Sequence, residues 1–342
     1  MDENKTDKNR VDENRIYENS RQTALFPGMQ AIAARLDMAA EAAEVLRGEE
    51  NVEIAGVSET RRERKGIIVH VIKILNQKAA ARMGKPQGTY VTCEVPMVQD
   101  EKSIAAAAGV IGEELAALLP PLSGQTLLVA GLGNREAIPD ALGTRVAELT
   151  FAPRHLFADG EVEGLNRVCV FSPGVTGMTG LDAAESIAAL ARQINAAAVI
   201  LIDALAAASV SRVGVSIQLA DSGISPGGGV GNSRPTINRE SCGCPVIAIG
   251  VPTVVDTAAI INGTLQALGG FWQGRGLCLP ALSDEACQYA EQELLQAFGG
   301  RLMVTPKDID QLIADDAEIL AAAIAIAAHP AAGVDNYHDF IR

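Results

Sequence analysis

Two aspartates stand beside apolar runs, at positions where carboxylates could do chemistry. Asp140 lies in the loop 131–143, directly after the run Thr126–Gly131, and Asp203 closes the run 199–202. A carboxylate that closes a buried strand is held rigidly and partly desolvated, which favours a raised pKa and proton transfer. Two carboxylates near one water could act as an acid–base pair, one ionised and one protonated.

Each aspartate also has a purely structural interpretation. Asp140 follows Pro139 and precedes a helical pattern, so it could be a helix N-cap. Asp203 could be a cap or a buried salt-bridge partner. The residues alone leave both alternatives open.

Other sequence patterns argue against several common chemistries. The loop 131–143 begins like a dinucleotide-binding fingerprint, but Glu136 stands where the third glycine is needed, which argues against NAD. The four histidines lack the spacing of metal ligands, and the six cysteines form no CxxC pair. No G-x-S-x-G elbow occurs. We therefore expect neither a cofactor nor a metal.

A third loop of interest, at 221–232, is dense in glycine. It lacks G-K-[ST], so it is not a phosphate-binding Walker loop. Its glycines suit either a close approach to another chain or substrate, or a mobile surface loop.

The elements that must position these loops alternate between strand and helix patterns, which predicts an α/β fold with a mostly parallel sheet flanked by helices, phosphorylase/hydrolase-like. Four apolar runs are typical of strands covered on both faces: 126–131, 168–171, 197–202 and 246–250. Further strands are predicted at 67–74, 89–95 and 215–220, and helices at about 30–47, 103–119, 181–195 and 306–328, the last with Thr305 as its N-cap.

Composition limits the possible partners. The chain has 342 residues, 48% of them hydrophobic, and a net charge of −14. This predicts one large α/β domain that binds no nucleic acid directly, because phosphate binding needs clustered Lys and Arg. No apolar run is long enough to span a bilayer, and the polar N-terminus, expected to be disordered over residues 1–24, lacks a signal-peptide pattern. We expect a cytoplasmic protein with reduced thiols and no membrane partner.

Together the loops resemble the spore germination protease family. The resemblance covers about residues 36–329 and rests on GLGN at 131–134, PDALG at 139–143, PGVTGMTG at 173–180, IDALA at 202–206, DSGI at 221–224, Pro226 with GVGN at 229–232, PVIAIGVPTVVD at 245–256 and LMVTPK at 302–307. It implies an endopeptidase of the forespore or spore core that degrades small acid-soluble spore proteins. It also implies a homotetramer, a fold similar to that of hydrogenase-maturation proteases, and catalytic roles for Asp140 and Asp203.

The resemblance further implies a zymogen that removes its own N-terminal segment. The matching stretch, RLDMAAEA at 35–42, places the cut between Asp37 and Met38. Residues 1–37 would then be the pro-segment and 38–342 the protease domain. The alternative is that these Ala-rich residues are only an amphipathic helix. The pro-segment is longer than is typical of the family, and the region 269–280 is shorter than in members with a long insertion there.

Rival functions remain open at this point. A metal-dependent maturation-type protease of the same fold is one, and a catalytically inactive binding protein is another. The NAD-dependent dehydrogenase is the weakest because of Glu136. The acidic charge also predicts repulsion from DNA, so the enzyme should prefer substrates that have dissociated from it.

Overall fold

The computed structural model describes residues 37–47, 53–96, 100–122, 124–225, 235–275 and 302–332, together with 289, 292, 293, 295 and 296. The predicted tail 1–24, the start of the predicted helix at 30–47 and most of the glycine-dense loop therefore lie outside the described residues. Cys278, Cys287 and His338 lie outside them as well.

The described residues contain one mixed sheet in the strand order β1-β2-β3-β7-β8-β6-β4-β5, with β9 on β8. The strands are β1 Val57–Arg64, β2 Ile67–Ile74, β3 Gly88–Glu94, β4 Thr126–Gly131, β5 Arg167–Phe171, β6 Ala196–Ala207, β7 Ser216–Ala220, β8 Val246–Asp256 and β9 Met303–Val304. The four apolar runs form the parallel part, β5-β4-β6-β8, as predicted, and the remaining pairings are antiparallel.

Helices cover this sheet, which confirms the α/β class. They are α1 Ala39–Arg47, α2 Gln77–Met83, α3 Glu101–Leu118, α4 Leu142–Leu149, α5 Thr176–Thr179, α6 Ala183–Gln193, α7 Arg239–Cys242, α8 Thr257–Gln273 and α9 Ile309–Ala328. Short 3-10 turns occur at Ile138–Asp140, Pro153–Asp159, Val210–Arg212 and Pro330–Ala332. In the part of the chain that is described, no helix combines the length and apolar character that crossing a bilayer requires.

Alternation along the central strands divides the core between two faces. Ile200 and Ile202 of β6 point into the layer formed by α3 and α9, whereas Val199 and Leu201 point toward α6. Burying each of these side chains stabilises the fold by about 1.5–3 kcal/mol. Residues of odd number in this part of β6 therefore share the α6 face.

Three sequence-based expectations differ from the structure. Thr305 is not a helix N-cap: α9 begins at Ile309, and the Thr305 hydroxyl donates to the Thr253 carbonyl at 3.0 Å. Strand β1 was not predicted, because its sequence VSETRRER lacks apolar alternation. Strands β6 and β8 both run beyond their predicted ends, to Ala207 and Asp256.

Candidate active site

The candidate site lies where β4 ends between longer neighbours. β4 stops at Gly131, which pairs with Ile202, while β6 continues beside β8. The Leu132 amide still donates to the Ile202 carbonyl oxygen at 2.8 Å. Beyond that point the described residues give β6 no strand partner on the β4 side, and the first residue there is Asp203. Such a carboxyl edge is where ligands bind in open α/β sheets.

Asp203 lies inside β6 and not at its end, so the expectation that it closes the strand is wrong. It pairs with Gly250 of β8 and is 9% exposed. Its Oδ1 accepts a hydrogen bond from the Ala204 amide at 3.0 Å. Its odd number in β6 directs the side chain to the α6 face.

Asp140 ends the 3-10 turn Ile138–Asp140. Its Oδ2 accepts a hydrogen bond from the Asn134 amide at 2.7 Å, which closes the loop after β4. The N-cap position of α4 is Ala141, which makes no side-chain cap, so the alternative of Asp140 as a helix N-cap does not hold. The carboxylate is fixed by its own loop.

Close backbone packing ties this loop to β6. A Cβ at Gly133 would lie 2.0 Å from the Asp140 carbonyl oxygen, and Gly133 has φ +102°. A Cβ at Gly143 would lie 2.4 Å from the Leu132 carbonyl oxygen and 2.5 Å from that of Ile202. Only glycine allows both approaches. The two aspartates are therefore brought to one edge of the sheet.

A hydroxyl from β8 braces the same loop. The Thr253 Oγ1 donates to the Pro139 carbonyl oxygen at 2.7 Å, immediately before Asp140. Strands β4, β6 and β8 thus all contribute to fixing the Asp140 turn, which gives the site a rigid base.

The predicted cleavage bond, Asp37–Met38, is bound to the same part of the sheet. The Asp37 carboxylate accepts a hydrogen bond from the Ala206 amide at 3.1 Å. The Asp37 carbonyl oxygen accepts one from Gln218 Nε2 at 3.3 Å, and the Ala39 amide donates to Gln218 Oε1 at 2.7 Å. Met38 between them is fully buried.

Three alternate amides, two in β6 and one directly after it, each donate to a carboxylate. Ala204 donates to Asp203, Ala206 to Asp37, and Ala208 to Glu41 at 3.2 Å. The amide that holds Asp37 lies two residues along the chain from the amide that holds Asp203, across the bulge between Leu205 and Ala206.

Burial shifts the pKa values of the ionisable groups around the docked segment, residues 37–41. It raises the pKa of Asp37, although the Ala206 amide and the charge of Lys85 oppose the shift. It also raises the pKa of Glu41 to about 7, against the attraction of Arg212. Burial lowers the pKa of Lys85, which faces both carboxyls. The segment is therefore docked through ionisable groups whose burial is unfavourable unless each has a partner.

The potential metal ligands and the cysteines in the described part of the chain give little support to metal or thiol chemistry. No group of three or more His, Cys, Asp or Glu in that part of the chain is arranged to hold a metal. Cys93, Cys169, Cys242 and Cys244 are free thiols, and burial raises the pKa of each. A thiol with a raised pKa is a poor nucleophile.

Sequence reasoning did not find Gln218 or the amides of Ala206 and Ala208. Gln218 is one polar residue in the strand SIQLA, and its contacts depend on a segment 179 residues away. The amides belong to alanines, so only the strand pairing could have revealed them.

The family model and the curated relatives agree on one family. The family model described as "Germination protease" matches residues 31–275. A germination protease from Clostridium perfringens is 38% identical and covers 90% of this chain and 99% of its own. Its counterparts from Clostridium tetani (36% identical) and Caldanaerobacter subterraneus (36% identical) cover 91% and 87% of this chain and 100% and 95% of their own. A [NiFe] hydrogenase maturation protease, HycI, from Thermococcus kodakarensis matches at 19% identity over 41% of this chain and 80% of its own, with a TM-score of 0.26.

Proposed function

Because the chain belongs to the germination protease family and is therefore a peptidase, we propose that it is an endopeptidase made as a self-processing zymogen. Its substrates are small acid-soluble spore proteins, which it degrades during germination in the spore core. The observation that carries the proposal is that the Ala206 amide holds Asp37, two residues along β6 from the Ala204 amide that holds Asp203.

Asp140 and Asp203 supply the chemistry. One ionised carboxylate takes a proton from a water, whose oxygen attacks the carbonyl carbon of the scissile peptide. The other, protonated, gives its proton to the leaving amide nitrogen. Each side chain is held by a backbone amide, from Asn134 and Ala204 respectively, so neither must be ordered at the moment of reaction.

Self-processing fits the way the N-terminal segment is held. The backbone of Asp37 and Ala39 is fixed by Gln218, and the side chains of Asp37 and Glu41 are held by the amides of Ala206 and Ala208. Cleavage after Asp37 would release residues 1–37 and leave Met38 as the new N-terminus. Substrate proteins would then place an acidic residue in the position that Asp37 vacates, since Glu41 stays in the protease domain. The active form is proposed to be a homotetramer.

The test compares Asp140→Asn and Asp203→Asn with a matched control, Asp182→Asn, in the full chain. Asp182 caps α6 through the amides of Ala184 and Glu185, and asparagine caps a helix about equally well. Hydrolysis of a synthetic peptide of residues 31–47 should be lost in the first two variants and kept in the third. Near-normal hydrolysis by either site variant would remove that aspartate from the mechanism.

A further inference from the structure

Gln218 of β7 and Asp203 of β6 lie on either side of β8 in the sheet. In the strand register, Asp203 pairs with Gly250, and Gly250 pairs with Gln218. Residues paired in register point to the same face, so both side chains lie on one face of the sheet with a glycine between them. Two strand spacings separate their backbones by about 10 Å. The Leu205 side chain packs directly over Gly250, because a Cβ at Gly250 would lie 2.3 Å from Leu205 Cδ1.

The side chain of Gln218 holds both sides of the predicted cleavage bond. Nε2 donates to the Asp37 carbonyl oxygen, 3.3 Å away, and Oε1 accepts from the Ala39 amide at 2.7 Å. The partners fix which end of the side chain is which, because a carbonyl oxygen accepts and an amide donates. Gln218 is 7% exposed, so both contacts are made away from bulk water.

We propose that Gln218 is a catalytic residue, whose Nε2 stabilises the negative charge on the scissile carbonyl oxygen while its Oε1 aligns the peptide. The inference rests on the proposed function, since it concerns the bond that Asp140 and Asp203 are proposed to cleave. A donor that already points at this oxygen in the docked segment is preorganised for the charge that develops there.

The chemistry then balances as follows. Water gives a proton to the ionised aspartate, its oxygen bonds to the Asp37 carbonyl carbon, and the π electrons move to the carbonyl oxygen. That oxyanion accepts the hydrogen bond from Gln218 Nε2. The carbonyl re-forms, the carbon–nitrogen bond breaks, and the protonated aspartate supplies the proton that the Met38 nitrogen takes up. Gln218 exchanges no proton.

A purely structural glutamine would behave differently. Among the described residues, the hydrogen bonds of the Gln218 side chain go to Asp37 and Ala39, both in the segment, and not to the sheet around it. Release of residues 1–37 would leave the buried Nε2 donor to be satisfied by another peptide, whereas Oε1 keeps its partner Ala39. Nε2 is therefore suited to hold the carbonyl oxygen of a substrate residue that takes the place of Asp37.

The first test uses Gln218→Met in the full chain, with Thr92→Val as the control. Thr92 pairs with Gln218 in the register and is 1% exposed, so its variant reports general disturbance of this face. We expect the first-order rate of cleavage after Asp37 to fall about 100-fold or more in Gln218→Met. Hydrogen exchange should show α1 still docked. A rate within about threefold of the unmodified chain, or a loss fully matched by undocking of α1, would overturn the proposal.

Gln218→Glu keeps the acceptor and tests the donor. An ionised carboxylate donates nothing, whereas a protonated one donates in place of the amide. The cleavage rate of this variant relative to the unmodified chain should therefore rise as the pH falls. A ratio that is independent of pH contradicts the donor role. Loss of Gln218 as a catalytic residue would leave the proposed function standing if Asp203→Asn is inactive, whereas an active Asp203→Asn would end the proposed function itself.

Discussion

The Leu132 amide donates to the Ile202 carbonyl oxygen at 2.8 Å, and this hydrogen bond joins the loop that carries Asp140 to the strand that carries Asp203. On one side, Gly133 packs against the Asp140 carbonyl oxygen. On the other, Asp203 follows Ile202 directly. Two carboxylates held in this way should act as one unit, since a shift of either backbone is passed to the other.

The first prediction concerns this coupling. If Asp140 and Asp203 serve a single water, the double variant Asp140→Asn with Asp203→Asn should lose no more activity than the more severe single variant. Peptide hydrolysis by the two single variants and the double variant measures this. Strictly multiplicative losses would show that the two side chains act independently.

The second prediction tests the glycine that brings the loop to β6. Gly143→Ala should lower kcat about 100-fold and reduce the thermal midpoint, because the added methyl must push apart Leu132 and Ile202. The control is Gly263→Ala in α8, where an added Cβ meets nothing within 4 Å. That variant should stabilise the protein by about 0.5–1 kcal/mol. Equal effects of the two substitutions would contradict the role of Gly143.

The third prediction concerns stability and pH. Burial raises the pKa of Asp316 in α9 to about 8, helped by repulsion from Asp315. The folded state then keeps a proton that the unfolded state has lost above its ordinary pKa of 3.8, so stability falls as the pH rises from about 4 to 8. The steepest slope from this group is about 1.4 kcal/mol per pH unit.

Asp316→Asn should flatten that dependence and stabilise the protein most at pH 8 and above. Urea unfolding at pH 5 and pH 8 gives the comparison. Asp310→Asn, on the exposed first turn of the same helix, is the control for removing a carboxylate from α9 outside the core. An unaltered slope in Asp316→Asn would show that its carboxyl is not the group that titrates.

The fourth prediction separates the carboxylate mechanism from the metal-dependent alternative. Treatment of the self-processed enzyme with a chelator should leave peptide hydrolysis unchanged, because the proposed mechanism activates water with an aspartate and needs no metal. Loss of activity that returns on adding a divalent cation would favour the metal-dependent protease instead.

Much of the sheet was predictable because its central strands are buried on both faces. The run Thr126–Gly131 has the bounds of β4, which is buried throughout, and the apolar run Ile67–Ile74 has those of β2 next to the edge strand. Strand β1 was missed because most of its residues are polar and exposed, and its Arg62 pairs with the buried Glu114 of α3. Edge strands rich in charge carry no burial signal.

The site was predictable only in part. Asp140 and Asp203 stood out through their neighbours in sequence, but Asp203 was expected at a strand end because the apolar run stops there. The strand continues through Ala-Leu-Ala-Ala, a sequence with little β preference, since β8 pairs with it. Gln218 depends wholly on this pairing and on a distant segment, so no local pattern could have indicated it.

The central claim is that the aspartates of this edge cut the docked Asp37–Met38 bond, and the N-terminal sequence of the chain after incubation tests it most directly. The account predicts that the unmodified chain begins at Met38 after processing and that the Asp203→Asn chain keeps its full length. A processed chain that starts elsewhere, or an Asp203→Asn chain that still acquires the Met38 terminus, would contradict it.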